Sequence, residues 1–119
     1  MNVSEKDLRV LSEILRLCEK IEKTVTRFGK QYAIFSSDPD YLDSVNMNIL
    51  QIGEAVGKLS SEFVDRTKNT IDWKAIKATR NLFAHNYGAV DFEMIWATVE
   101  NDLPVLKAFC LEQIEQAKR

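Results

Sequence analysis

One short segment of the chain contains residue types that could do chemistry. RNLFAHNYG, residues 80–88, holds the only histidine of the sequence, His85, five positions after Arg80 and two before Tyr87. An imidazole transfers protons near neutral pH, a guanidinium binds the equatorial oxygens of a phosphorane, and the amide of Asn81 and the phenol of Tyr87 can position a phosphate backbone. These four side chains suit cleavage of a phosphodiester. In RNA the 2′-hydroxyl supplies the nucleophile, so this chemistry requires neither a metal ion nor a cofactor.

The spacing also indicates how these groups would be arranged on a helix. At 100° per residue, Asn81 lies one turn before His85, whereas Arg80 lies about 140° away from it. Asn81 can therefore orient the imidazole, while Arg80 is expected to line the same groove without bonding to its own His85. Tyr87 returns to the side of Arg80 if the helix continues that far.

A single histidine limits what one molecule can do. RNA transesterification needs a base for the 2′-hydroxyl and an acid for the departing 5′-oxygen. A two-fold dimer that juxtaposes two copies of the segment would supply two imidazoles and two guanidiniums. The sequence therefore predicts a homodimer if the protein is a catalyst. The alternative is a histidine that caps the last turn of a helix, with Arg80 in a surface salt bridge.

The distribution of charge favours the same region. The whole chain has 16 basic and 18 acidic residues, a net charge of −2, which is a poor match for nucleic acid. Residues 66–85 have five basic residues against one acidic residue, so a polyanion would be attracted there and repelled elsewhere. We expect Lys74 and Lys77 to bind RNA. Such a cluster can also be a solvated helix face.

Four helices are predicted to position this segment. The first begins at the cap Ser4, with Asp7 in a spacing that resembles a capping box, and ends near Gly29. The second follows SSDPDY, where Ser37 or Asp38 can cap and Pro39 suits the first helical position. In it Gly53 and Gly57 are four residues apart, which is typical of a close approach by another helix.

The third helix carries the reactive segment. It is expected to run from the cap Asp72 through Asn86 and to end at Gly88. The fourth starts at Asp91 and is expected to be kinked at Pro104, which lacks a backbone N–H. With no strand pattern, these elements predict an all-α, four- to five-helix up-down bundle that forms one domain over residues 1–119.

Composition sets the remaining expectations. The sequence shows no signal peptide and no apolar run long enough to span a membrane, so a cytoplasmic location is expected. Cys18 and Cys110 lie inside apolar helical stripes and are expected to be buried, reduced thiols. Two thiols and one imidazole do not make a zinc site, and none is expected.

Several segments together resemble a known family. Arg80 to Tyr87 fits the R-x4-H-x-Y form of the R-x4–6-H motif of the HEPN superfamily. QIGEAV at 51–56, IDWKAIKATRN at 71–81 and VDFEMIWATVENDLPVL at 90–106 resemble its DUF86 or HepT-like branch. The resemblance follows the order of the chain over most of its length.

The resemblance implies a helical bundle that dimerises with the motif at the interface and acts as a metal-independent ribonuclease toxin. Arg80 and His85 would be the catalytic residues, and Asn81 the polar residue after the motif arginine. It also implies a minimal nucleotidyltransferase antitoxin, which would neutralise the toxin by complex formation or by transferring AMP to Tyr87. The alternative function is a non-catalytic helical protein that binds such a nucleotidyltransferase, or a nucleotide, through His85 and Tyr87.

Overall fold

The computed structural model describes the backbone of residues 3–85 and 91–119 and the side chains of residues 3–79 and 91–119. Within these ranges every regular element is helical, which confirms the all-α prediction. The elements are α1 (Glu5–Phe28), α2 (Tyr32–Ser37), α3 (Pro39–Val56), α4 (Ser61–Thr67), α5 (Trp73–His85), α6 (Phe92–Ala97), a π-helical turn (Thr98–Asp102) and α7 (Leu103–Ala117).

Helix α1 begins and ends as its sequence predicts. The Oγ of Ser4 accepts a hydrogen bond from the amide of Asp7 at 3.1 Å, and Gly29 follows the last turn with a φ of 116°. That φ lies in the left-handed region that favours glycine. The apolar stripe of α1 is buried along its length, at Leu11, Ile14, Leu17, Cys18, Ile21 and Val25.

Helix α3 occupies the middle of the bundle, packed against α1 on one side and α5 on the other. Asp38 caps it by accepting hydrogen bonds from the amides of Asp40 and Tyr41, and Pro39 is its first residue. Gly53 is buried inside the helix, but Gly57 lies just beyond the last helical residue, so the helix bears no cost for it. A Cβ on Gly57 would stand 3.9 Å from Cε of Lys77, so the end of that side chain of α5 lies beside the glycine.

Two short helices were not predicted. Helix α2 has six residues and buries Phe35, and α4 has seven residues and buries Phe63. Ser60 caps α4 by accepting a hydrogen bond from the amide of Phe63 at 3.2 Å. Segments of one or two turns are too short for the apolar periodicity that reveals a helix in a sequence.

The disruption predicted at Pro104 takes the form of a π-helical turn. Asp91 caps α6, and the backbone then widens over Thr98–Asp102, where the amide of Leu103 bonds to the carbonyl of Thr98, five residues earlier. A proline clashes with the carbonyl four residues before it, and a wider turn relieves that clash. Helices α6 and α7 are thus joined through this turn.

The long helices form a bundle in which α1 packs against α3 and α7, and α3 packs against α5. Just beyond the end of α3, Gly57 lies beside the side chain of Lys77 of α5. Cys18 and Cys110 are buried, free thiols, as predicted. No helix in the described ranges combines the length and the apolar composition that crossing a membrane would require.

Candidate functional site

Helix α5 carries three of the four candidate residues, Arg80, Asn81 and His85, in its backbone. The predicted cap is confirmed, since Oδ1 of Asp72 accepts a hydrogen bond from the amide of Ala75 at 3.0 Å. Tyr87 lies outside the described residues. So do Asn86 and Gly88, which were predicted to end this helix.

The beginning of α5 is fixed firmly to the rest of the bundle. The indole Nε1 of Trp73 donates to Oγ1 of Thr67 at 2.9 Å, and that hydroxyl donates to the carbonyl of Phe63 at 2.8 Å. The ring of Trp73 lies 6.2 Å from the ring of Phe63 and 5.8 Å from that of Phe109, measured between centroids. The first turn of α5 is therefore anchored by Trp73 in the aromatic core.

The register of α5 separates the two predicted catalytic positions. Residue 85 follows the exposed Ala78 by seven positions and the exposed Lys74 by eleven, so its Cα belongs to the row that faces away from the core. Residue 80 follows the buried Trp73 by seven positions and belongs to a row that faces the bundle. How the Arg80 and His85 side chains are directed stays a prediction, because the structure describes only the backbone at these positions.

The predicted RNA-binding lysines have different surroundings. Lys74 lines a depression with the acidic residues Glu62, Asp65 and Asp72. Lys77 instead lies over Gly57 at the end of α3. Both lysines are exposed, and neither makes an ion pair with a described acidic residue.

The basic character of residues 66–85 is weaker than the sequence window indicates. Arg66 lies 3.8 Å from Glu62 and Lys68 lies 3.0 Å from Asp65, both on or beside α4. The acidic partners precede residue 66 in sequence, so a window that starts there separates each pair. Two of the five cations are thereby offset in the folded chain.

A second cluster of cations was not predicted. Lys6 and Arg9 on α1 and Lys58 just after α3 line one shallow groove of about 480 Å³ together with Gly57. In the sequence these residues belong to the part of the chain with an excess of acidic groups. No sequence signal could have revealed the cluster, because two helices must pack before the three cations meet.

An apolar groove of about 280 Å³ runs between α3, α5 and the beginning of α7. Ile52 of α3, Ile76 of α5 and Leu106 of α7 form part of its wall. Val105, which is 58% exposed, lies at the same place. No pattern in the sequence predicted this groove.

Metal ligands and cysteine nucleophiles are not assembled in the described region. No group of three or more histidine, cysteine or acidic residues in residues 3–79 and 91–119 is arranged to hold a metal ion. Burial raises the pKa of both thiols, Cys18 and Cys110, to about 12. A thiol that stays protonated at neutral pH is a poor nucleophile.

Comparison with known proteins identifies the family. Residues 14–113 match the family model described as "Ribonuclease HepT-like". "Putative RNase TTE0752" of Caldanaerobacter subterraneus subsp. tengcongensis is 30% identical over 91% of this chain and 94% of its own length. "Probable ribonuclease HepT" of Thermococcus cleftensis is 29% identical over 90% of this chain and 93% of its own.

One relative is about twice as long as this chain and matches it over about half of its own length. "Gamma-glutamylcyclotransferase and putative RNase MJ0434" of Methanocaldococcus jannaschii is 32% identical over 93% of this chain, which covers 49% of that protein. No solved structure matches the chain. The match over residues 14–113 and the relatives that align over nearly their full length show that the chain belongs to the HepT-like ribonuclease family.

Proposed function

We propose that this protein is the endoribonuclease toxin of a cytoplasmic toxin–antitoxin pair and that two copies of the chain share one active site. The observation that carries the proposal is the register of α5, which assigns residue 85 to the row that faces away from its own core. A groove built on that row needs its opposite wall from another molecule. A two-fold dimer supplies this wall and a second His85.

The proposed reaction is transesterification within the RNA. One His85 imidazole accepts the proton of the 2′-hydroxyl while a bond forms between the 2′-oxygen and phosphorus. The bond from phosphorus to the 5′-oxygen breaks, and the second imidazole donates a proton to that oxygen. The products are a 2′,3′-cyclic phosphate and a 5′-hydroxyl. Arg80 stabilises the non-bridging oxygens, and Asn81 and Tyr87 position the strand.

The proposed reaction requires the two copies of His85 to differ in protonation. The copy that accepts the proton of the 2′-hydroxyl must be a neutral imidazole, and the copy that donates to the 5′-oxygen must be an imidazolium. Because the chain has a single histidine, its titration can be followed by NMR without ambiguity of assignment.

The direct test is degradation of RNA by the purified protein in EDTA. Wild type is expected to produce fragments that end in a 2′,3′-cyclic phosphate, and His85→Ala and Arg80→Ala are expected to lose this activity. Lys23→Ala, an exposed substitution on α1, serves as the control and keeps it. Equal cleavage by wild type and His85→Ala would eliminate the proposed mechanism.

The proposal includes a minimal nucleotidyltransferase as antitoxin. In the modification route, the phenol oxygen of Tyr87 attacks the α-phosphorus of ATP, and pyrophosphate leaves. The attached AMP would introduce a negative charge and a purine that compete with RNA for Arg80. Intact mass after incubation with the partner and ATP should increase by adenylyl units, and Tyr87→Phe should not be modified. Equal modification of Tyr87→Phe would assign the acceptor elsewhere.

A second candidate function is that of a non-catalytic partner of the nucleotidyltransferase. The apolar groove beside the exposed Val105 favours it, because such a groove can receive a helix of another protein. A complex that survives Arg80→Ala, together with no cleavage of any RNA, would support this function. RNA cleavage that depends on Arg80 and His85 would reject it.

A further inference from the structure

We propose that the groove lined by Lys6, Arg9 and Lys58, here called the α1/α3 groove, binds the backbone of the RNA strand outside the cleavage site. The inference rests on the proposed ribonuclease function and adds a second binding surface to it. The three cations come from two separate parts of the chain and meet where α1 packs against the end of α3.

The charge of the α1/α3 groove is predominantly positive. Among the described residues that line it, Glu13 is the one acidic side chain. Arg16 binds both carboxylate oxygens of Glu13, at 2.7 and 3.0 Å, and so offsets its charge. Lys6 lies near enough to Asp7, and Lys58 to Glu13, to lower the pKa of those carboxyls. Neither these lysines nor Arg9 forms an ion pair with a described residue, and all three are exposed and therefore available to phosphates.

The α1/α3 groove adjoins the helix that carries the motif. Gly57 is part of its lining, and Cε of Lys77 lies 3.9 Å from the position that a Gly57 Cβ would take. Lys77 precedes Arg80 by three residues, which is about 4.5 Å along the axis of α5. A strand that leaves the motif can therefore pass Lys77, cross the glycine where no side chain projects, and reach Lys58, Arg9 and Lys6.

The chemistry of the α1/α3 groove fits a phosphate backbone better than a folded protein. It is shallow, its cations sit on long side chains, and no aromatic ring lies among the described lining residues. Without stacking surfaces or a deep apolar pocket, recognition is electrostatic and independent of sequence. The predicted ligand is single-stranded RNA several nucleotides longer than the link that is cut.

The test measures RNA binding in a protein that cannot cleave. In a His85→Ala background, the triple substitution Lys6→Gln, Arg9→Gln, Lys58→Gln is compared with Lys20→Gln, Lys23→Gln, Lys30→Gln. Both sets replace exposed cations and lower the charge by the same amount. With a labelled 20-nucleotide RNA, the slope of log K against log salt should decrease by about 0.7 for each lost phosphate contact, or about two for the groove variant. The control should keep the wild-type slope.

Cleavage distinguishes a failure of the groove from a failure of the proposed function. The groove variant should cut a dinucleotide as fast as wild type but cut the long RNA more slowly at low substrate concentration. An unchanged salt slope in a variant that folds normally by circular dichroism would overturn the groove proposal, even if His85 proves catalytic. Absence of cleavage by wild type would overturn the proposed function, while the binding comparison would still decide about the groove.

One further outcome assigns the surface to a different ligand. If the groove variant binds RNA as wild type does but loses its complex with the nucleotidyltransferase, the cations recognise an acidic protein surface. That result would reject the RNA proposal. Retention of the complex alongside the reduced salt slope would support it.

Discussion

Asp7 connects the beginnings of two helices through a buried carboxylate. It accepts hydrogen bonds from the amide of Ser60 at 2.9 Å and from the hydroxyl of Ser60 at 2.6 Å. Burial alone would raise the pKa of this carboxyl, but the hydrogen bonds from Ser60, together with Ser4 and the charge of Lys6, outweigh burial and hold the pKa below its usual value. We expect Asp7→Asn to lower the free energy of unfolding by about 1–3 kcal/mol at pH 7, measured by urea denaturation.

The same contact predicts a dependence on pH. Because the pKa of Asp7 is lower in the folded than in the unfolded chain, its contribution is present above the unfolded pKa of about 4 and is lost as pH falls through the folded value. The stability difference between wild type and Asp7→Asn should therefore shrink on acidification. Asp43→Asn, on an exposed position of α3, is the control and should change little at either pH. A difference that stays constant to pH 3 would contradict this account of Asp7.

The two thiols should be inert in the folded protein. Burial raises the pKa of Cys18, with a further contribution from the nearby Cys110, and burial raises that of Cys110, both from 9.0 to about 12. A disulfide reagent at pH 8 should modify neither thiol until urea unfolds the chain, and then both. Fast modification of the native protein would show that α1 and α7 separate readily.

The raised thiol pKa values also predict alkaline destabilisation. Unfolded thiols ionise near pH 9, whereas the folded ones keep their protons up to about pH 12. Between pH 9 and 12 the folded state therefore binds more protons than the unfolded state does. Stability should fall by up to about 1.4 kcal/mol per pH unit for each thiol in this interval. The double variant Cys18→Ala, Cys110→Ala should show a shallower decline. Parallel declines in the two proteins would contradict the prediction.

At the scale of elements, Thr67 determines how firmly α5 is held. Its hydroxyl accepts from the indole of Trp73 and donates to Phe63, so Thr67→Val leaves a buried indole N–H without a partner. We expect a loss of about 1–3 kcal/mol in unfolding free energy, with little change in Thr67→Ser. Residue 85 is twelve positions beyond Trp73, about 18 Å along the helix, so RNA cleavage per folded molecule should be unaffected. Equal stability of the two variants would show that the hydroxyl contributes nothing.

The sequence predicts the long helices well because each carries two independent signals. A stripe of apolar residues marks the buried face of α1, and capping at Ser4, Asp38, Asp72 and Asp91 marks where the predicted helices begin. Helices α2 and α4 are too short to show a stripe. The π-helical turn before Pro104 follows from how the backbone accommodates the proline, which the residue types alone do not specify.

The sequence predicts only part of the candidate site. The order of Arg80, Asn81 and His85 on one helix follows from their spacing, and α5 contains all three. The balance of charge at the site does not follow from the sequence, because Glu62 and Asp65 offset two cations that a linear window counts as free. The α1/α3 groove could not be predicted from the sequence either, because its cations come from segments that meet only when the helices pack. Electrostatic patterns depend on which segments pack together, whereas helical rows depend on local spacing.

At the scale of the whole molecule, a shared active site makes a prediction that an active site within one chain does not. A dimer of Arg80→Ala lacks both guanidiniums, and a dimer of His85→Ala lacks both imidazoles. A mixed dimer keeps one of each, contributed by different chains. Mixing the two inactive variants should therefore restore a small part of the activity once subunits exchange, because the one imidazole can act as base while water protonates the departing 5′-oxygen.

RNA cleavage by mixed dimers distinguishes an active site shared by two chains from an active site within one chain. Equal amounts of the variants are unfolded together in urea, refolded and assayed on RNA in EDTA; random pairing makes about half of the dimers mixed. The double variant Arg80→Ala, His85→Ala, refolded with wild type, is the control. The mixed dimers of this control also have one guanidinium and one imidazole, but both are on the same chain. Comparing the activities of the two mixtures shows whether the two groups must come from different chains. Native mass spectrometry shows whether mixed dimers form. If they form and wild type recovers fully from the same treatment, but the mixture of single variants stays inactive, one of two explanations holds. Either each site uses Arg80 and His85 of a single chain, or two imidazoles are indispensable. The control decides between these, because about a quarter of its dimers are wild type, and activity beyond theirs comes from a wild-type chain beside a doubly substituted one, which is active only in the first case.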